Sequence, residues 1–556
     1  MTARPVRSPR AAGAPAAVAA AVAVLSTLGA LACSKGPEST GRCQTDDACG
    51  DGRACASGTC LPRAAPPASW GVALTPRSDS TAGYTELPGL PMAAASLDLV
   101  ATPKVTITGA LGYDANATPV TTAHVVLTVP STIAGLSDLQ YETDLATASK
   151  TPTPTFTLPV PSGLVGRAGK LRVLPGAPDN ATHAPATFAV MVAPMLALPI
   201  PTKALTVSGR LLSALGDPLV GLVARAFEDG DLVSNVASTT ADGFSLLVPA
   251  DTSAPSLAVE LAAAASDAPQ PHFWAKPFAL TASYDLGDVQ LPAYGQPNTF
   301  SFLFQGRSPG DPAVTGALVR AHTVLADDAR GTTDYLRDGQ TDMTGQASLS
   351  LLPGSTDALR LYDVAVVPPA GSVYATRCLE MFGLAAGGLQ PAVTLDRRPV
   401  FTGSVVGADG TPVADATIQA TRTAPEQATA CDEYASPPVV TGTTMDDGSF
   451  QLLLDAGTYT LDFDPPAGAP YPRLTETGVA VSTSSGPHAV QLPPGAVLEG
   501  TLRDGAGAPL PQAGLRFYQP RPACPEPTAC AGTAAVLEAQ ARADGNGHYR
   551  VVIPTP

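Results

Sequence analysis

Gly457-Thr458-Tyr459-Thr460-Leu461-Asp462-Phe463-Asp464 alternates polar and apolar side chains without a break. In an extended chain successive side chains point to opposite faces. Tyr459, Leu461 and Phe463 would therefore enter a core while Thr460, Asp462 and Asp464 meet water. Upstream, Asp447-Gly448-Ser449-Phe450 has the chemistry of a tight turn. Asp tolerates the left-handed region there and Gly occupies it at no steric cost. Val105-Thr106-Ile107-Thr108 and Tyr362-Asp363-Val364-Ala365-Val366 alternate in the same way. Short half-buried strands joined by turns predict an antiparallel sheet with one face on a core.

The pattern recurs. Pro412-Val413-Ala414-Asp415-Ala416-Thr417-Ile418-Gln419-Ala420 has relatives beginning at Pro119, Pro218, Pro312 and Pro509, with successive prolines 99, 94, 100 and 97 residues apart. A second marker keeps the same period: Asp242-Gly243-Phe244, Thr344-Gly345-Gln346, Asp447-Gly448 and Asp544-Gly545. Two markers with one spacing are the signature of tandem units of about one hundred residues. The expected divisions are 1–32 export signal, 33–42 tether, 43–62 cysteine-rich module, and 63–200 linker with a divergent first sandwich. Further sandwiches follow at 201–293, 294–398 and 399–494, with an incomplete fifth at 495–556. After Asp544-Gly545 that last unit holds one strand, His548-Tyr549-Arg550-Val551-Val552-Ile553. The counterpart of Tyr459 to Phe463 is missing, which would leave an open sheet edge. The sequence thus predicts either a chain that continues further or a partner strand that closes the unit.

Composition agrees with an all-β chain. Of 556 residues 45% are hydrophobic and only 14% charged, with 57 Pro and 52 Gly. That is too long for one core, and it favours strands and turns over helices. The formal charge is −16, and no basic patch offsets it along the sequence. Phosphate backbones would be repelled, so nucleic acid is not an expected partner.

The order Gly403, Gly410-Thr411-Pro412-Val413, Ala416-Thr417-Ile418, Thr444, Asp447-Gly448-Ser449-Phe450, Gly457-Thr458-Tyr459 resembles the carboxypeptidase regulatory-like, or transthyretin-like, sandwich. It is akin to the Cna-B stalk domain and to starch-binding-like, carbohydrate-binding-like folds. The resemblance implies tandem prealbumin-like antiparallel β-sandwiches that accompany chemistry without performing it. Cna-B domains carry a Lys–Asn isopeptide bond. Here no lysine follows Lys276, so units three to five cannot form one; Lys104 on a first strand could, but a solvated lysine is the favoured reading.

Arg4, Arg7 and Arg10 precede an uncharged, Ala-rich run from Ala11 to Ala32 that ends at Cys33, an export-signal pattern. Leu28-Gly29-Ala30-Leu31-Ala32-Cys33 resembles a bacterial lipobox, which implies lipidation of Cys33. Ser34, in place of Asp, resembles the signal for transfer to the outer membrane. An ordinary cleaved signal or a membrane-spanning helix would share the apolar run. The reading is an outer-membrane lipoprotein held in the membrane by its N-terminal lipid and exposed at the cell surface.

Eight further cysteines suit an oxidising compartment. Cys43, Cys49, Cys55 and Cys60 cluster without His or a C-x-x-C pair, so disulfides are favoured over zinc; their pairing is not readable. Cys524 and Cys530 would clip one loop, and Cys378 with Cys431 would lock two neighbouring units.

No H-E-x-x-H, G-x-S-x-G or phosphate-loop pattern occurs among the six His and the Gly-rich turns. The expectation is no catalytic residue, no cofactor and no metal. The turns at Asp446-Asp447-Gly448 and Asp544-Gly545-Asn546-Gly547 lack the spaced acids of a calcium loop. Trp70 and Trp274 read first as core residues. Trp274 beside His272 and Lys276 is the one patch that would bind a ligand, a polysaccharide or an envelope protein. The leading function is a non-catalytic stalk or scaffold presenting a module at the surface. A capture protein or adhesin is the alternative, and the non-catalytic arm of a larger enzyme a weaker one.

Overall fold

A computed structural model describes residues 53–56, 59–62, 69–91, 96–111, 120–145, 155–198, 204–228, 230–250, 257–263, 270–308, 310–354, 359–384, 390–432, 434–519 and 535–555. Two units separate, 1–68 with 556, and 69–555. In the first, strands Arg53–Ala56 and Thr59–Pro62 form an antiparallel hairpin. The second is built of strands, with two short 3-10 turns and no α-helix among the described residues.

The fourth sandwich shows the common plan. One sheet orders Val440–Thr443, Thr417–Pro425, Gly457–Asp464 and Leu474–Val481. The other orders Ser449–Leu453, Val400–Val406 and His488–Gln491, the last strand running parallel. Tyr459, Leu461 and Phe463 are buried between the sheets with Phe401, Ile418 and Phe450, as their alternation requires. Each of the first three sandwiches also closes on a parallel last strand: Met195–Leu198, Tyr284–Gln290 and Val393–Leu395.

The two sequence markers share a period because they touch. Gly448 has φ +75°, and a Cβ there would meet the Val405 carbonyl, the Pro412 ring and the Val413 amide. Gly345 stands likewise against Phe304 and Ala313, and Gly547 against Leu502 and Pro509. The turn passes so close to the first strand that only hydrogen fits. Two corrections follow. The glycine of the fifth turn is Gly547 (φ +80°), not Gly545, which has open space around it. In the third unit Ala313, not Pro312, bridges the first strand.

The fifth sandwich is closed by the opposite end of the chain. Its C-terminal strands are Gly495–Arg503, Gly514–Gln519, Val536–Arg542 and His548–Pro554. Ser69–Thr75 pairs antiparallel with Gly514–Gln519, and Thr85–Pro91 lies outside it. Leu99–Val100 supplies the parallel strand beside Gly495–Arg503. Trp70, Val72 and Leu74 occupy the places held by Tyr459, Leu461 and Phe463 in the fourth sandwich, packed with Leu515, Phe517 and Tyr549. The closing strand expected from a continuation or a partner thus comes from the chain itself. The expected segment 63–200 divides accordingly: its start completes the fifth sandwich, and the strands from Lys104 to Leu198 form the first.

Consecutive sandwiches touch all the way round. Asn235 donates to the Ala181 carbonyl, and Arg172 pairs with Asp231 at 2.8 Å, joining first to second. His272–Ala275 pairs with Gly331–Gln340, so the second and third share one continuous sheet. A Cys378–Cys431 disulfide joins third to fourth. Beside it Asp455, 5% exposed, accepts from Arg398 and from the Thr376 amide and hydroxyl. Gln540 donates to Asp464 between fourth and fifth. Glu86 accepts from Ser131 and Thr132, and Ile133 covers Gly71, joining fifth back to first. A straight array would hold its first and fifth members apart; here they are neighbours.

Candidate functional site

The sequence placed a binding patch at His272 and Trp274. Both lie on the four-residue strand His272–Ala275, where Phe273 and Ala275 point into the core and His272 and Trp274 outward. Trp70 is a core residue at 2% exposure. Trp274 is not, contrary to the reading that put both tryptophans inside. It is half-buried on the outer face of the shared sheet, its ring 6.0 Å from Phe227. Lys276 turns away and pairs with Asp327 at 3.2 Å.

Strand pairing brings companions that sequence reasoning missed. Glu260 lies opposite Trp274 and Arg225 opposite Glu260. Asp334 of the third sandwich lies opposite His272, and His322 stands 3.4 Å from the Asp334 carboxylate. Burial pushes the Glu260 carboxyl above the usual carboxylate range, against the pull of Arg225 and His272. Asp334 Oδ1 and Arg225 Nε are buried without a hydrogen-bond partner. The arrangement is an aromatic pair beside a strip of alternating charge, suited to holding a polar ring over Trp274 and Phe227. The signal for it was weak. Arg225 and Glu260 occupy outward positions of their strands, but nothing in sequence says that two sandwiches share a sheet.

The other expected positions scatter. Cys33, Cys43, Cys49, Cys524 and Cys530, like Pro119, lie outside the described residues. Cys55 and Cys60 face each other in the register of the N-terminal hairpin. Lys104 donates to the Ser78 and Ser80 carbonyls at 3.0 and 2.8 Å, so it fastens a loop of the fifth sandwich. Asp447 and Asp544 accept from the backbone of their own turns. Among the described residues no group of three or more His, Cys, Asp or Glu could hold a metal ion, and no helix is long and apolar enough to cross a membrane.

No family model and no curated protein matches this chain. Among solved structures it is similar to the Bacillus anthracis TIE protein, with 14% identity over 67% of this chain and 69% of that one and a TM-score of 0.16. It is also similar to the Streptococcal ancillary pilin, at 12% identity over 52% of this chain and all of that one, TM-score 0.19. GBS52, the minor pilin of Streptococcus agalactiae, is 11% identical over 35% of this chain and 95% of its own, TM-score 0.20. The fold itself is read from this chain's own strand pairing: it is all-β, in antiparallel sandwiches.

Proposed function

We propose that this protein is a non-catalytic scaffold of the cell envelope, anchored by a lipid on Cys33 in the outer membrane. Its sandwiches form a closed circuit, which replaces the stalk that the repeats alone suggest. The supporting observation is the pairing of Ser69–Thr75 with Gly514–Gln519. The strand that opens the run of sandwiches is built into the fifth of them, so the run closes on itself. The sheet shared by the second and third units and the disulfide between third and fourth stiffen the circuit. The anchor is tested by palmitate labelling of cells making the full chain. Label that disappears in Cys33→Ala, with the protein released from membranes, supports the reading; label that persists sinks it.

A second reading, a capture protein, draws on the half-buried Trp274–Phe227 pair. Retention of residues 69–556 on envelope glycans that is lost in Trp274→Ala would favour it. A fragment stopping at 494 would not serve, because it strips the fifth sandwich of four strands.

A further inference from the structure

An open cleft of about 1290 Å³ lies between the fourth and fifth sandwiches, and Arg77, Arg473, Arg516, Arg542 and Arg550 line it. The chain has 32 basic residues against 48 acidic ones, so five guanidiniums at one cleft are a marked concentration. Asp464 is the sole carboxylate on the lining, and it already accepts from Gln540 at 3.0 Å. Three of the arginines are engaged by acids: Arg77 with Asp79, Arg473 with Asp462 and Arg550 with Glu499, at 2.9, 2.9 and 3.2 Å. Arg516 and Arg542 have no ion-pair partner among the described residues.

Those two stand on one face of the closing sheet. Arg542 lies opposite Gly514 and Arg516 opposite Gln540 on the adjacent strand, which makes them diagonal neighbours about 7–8 Å apart. Like charges that close repel, and an anion between them turns repulsion into two charge-assisted hydrogen bonds. The planar guanidinium fork matches a carboxylate or phosphate oxygen pair. Arg473 Nε is also buried without a hydrogen-bond partner.

The rest of the lining selects the kind of anion. The volume exceeds the roughly 300–1,000 Å³ of a typical small-molecule pocket, so an extended chain fits better than a lone ion. Tyr471 is the one aromatic on the lining. Its ring rests against Gly407 and its hydroxyl donates to Asp409 at 2.8 Å, leaving no deep aromatic pocket for a peptide anchor. Gln512 and Gln540 supply donors and acceptors for hydroxyls. We propose that this cleft binds an acidic polysaccharide whose anionic groups bridge Arg516 and Arg542. The proposal stands apart from the scaffold reading and from the Trp274 face.

The test is calorimetric titration of the full chain, in detergent at physiological ionic strength. The probes are oligogalacturonate, neutral dextran oligomers of equal length, and inorganic phosphate alone. The expected result is saturable binding of oligogalacturonate, weakened about tenfold or more in Arg516→Gln/Arg542→Gln and unchanged in Lys276→Gln. Both arginines are exposed, so the double variant should keep the parent's thermal melt. Three outcomes would overturn the proposal: no saturable binding of oligogalacturonate, equal binding by the double variant, or dextran or phosphate binding as tightly as the acidic oligomer.

Discussion

Ala73 lies directly opposite Arg516 in an antiparallel strand pair, although the two residues come from opposite ends of the chain. The fifth sandwich is therefore a circular rearrangement of the others, with three strands from the N-terminal side and four from the C-terminal side.

Trp70→Ala should destabilise the C-terminal unit, not the sandwich next in sequence. The indole is buried among Leu515, Phe517 and Tyr549, and truncating a large buried aromatic costs about 3–5 kcal/mol. Hydrogen exchange is the measurement. Protection should fall in Gly514–Gln519 and His548–Pro554 and hold in Lys104–Leu111 of the first sandwich. Loss confined to 104–198 would contradict the closure.

Gly547 and Gly545 separate what the sequence could and could not say. Both belong to an Asp-Gly-Asn-Gly turn. Only Gly547 is left-handed, and a Cβ there would lie 2.6 Å from the Leu502 carbonyl. Gly547→Ala should lower the melting temperature, with roughly 1–2 kcal/mol from backbone conformation alone and more from the clash. Gly545→Ala should leave it nearly unchanged.

The repeat, the all-β class and the core face of Tyr459 to Phe463 were legible because alternation and turn chemistry are local. Strand Ser69–Thr75 was not. Its Trp70, Val72 and Leu74 alternate as well as Tyr459, Leu461 and Phe463 do, but period-2 patterning names a buried face and never the partner. The Trp274 patch was legible as two residues. Its companions Asp334 and His322 depended on a sheet continuing across two units, and Glu260 on a strand pairing that alternation does not name. The arginines of the cleft come from both ends of the chain, and no linear motif joins them.

Acid should loosen the turns in a defined window. Hydrogen bonds from the Thr411 amide and hydroxyl, then from Tyr471, hold the Asp409 carboxyl down at about 2. Turn hydrogen bonds lower Asp342, Asp447 and Asp544 in the same direction. A folded-state value below the unfolded one means the folded chain binds fewer protons. The stabilisation is then complete above the ordinary Asp value of about 4 and is lost as pH falls toward 2. NMR titration of the Asp409 carboxyl carbon checks this, and Tyr471→Phe should move its midpoint upward. An unchanged midpoint in that variant would show that the phenol hydroxyl contributes nothing.

The Arg398–Asp455 pair fixes the third sandwich on the fourth, with side chains only 1% and 5% exposed. Arg398 also donates to the Pro368, Pro369 and Ser372 carbonyls, and Asp455 holds Thr376 through two hydrogen bonds. Removing one partner strands a charge away from water. Asp455→Ala should therefore cost about 3–5 kcal/mol, whereas replacing both with apolar residues of similar size is often near neutral. Arg398→Met/Asp455→Leu should accordingly recover part of the loss. Recovery will be incomplete, because the carbonyls and the Thr376 groups lose their partners too. Denaturant unfolding of the four chains that make up the double-mutant cycle measures the coupling directly. Additive losses would mean that the two charges act independently and that this junction is held by the Cys378–Cys431 disulfide and the contacts around it, such as Arg320 donating to the Tyr434 carbonyl.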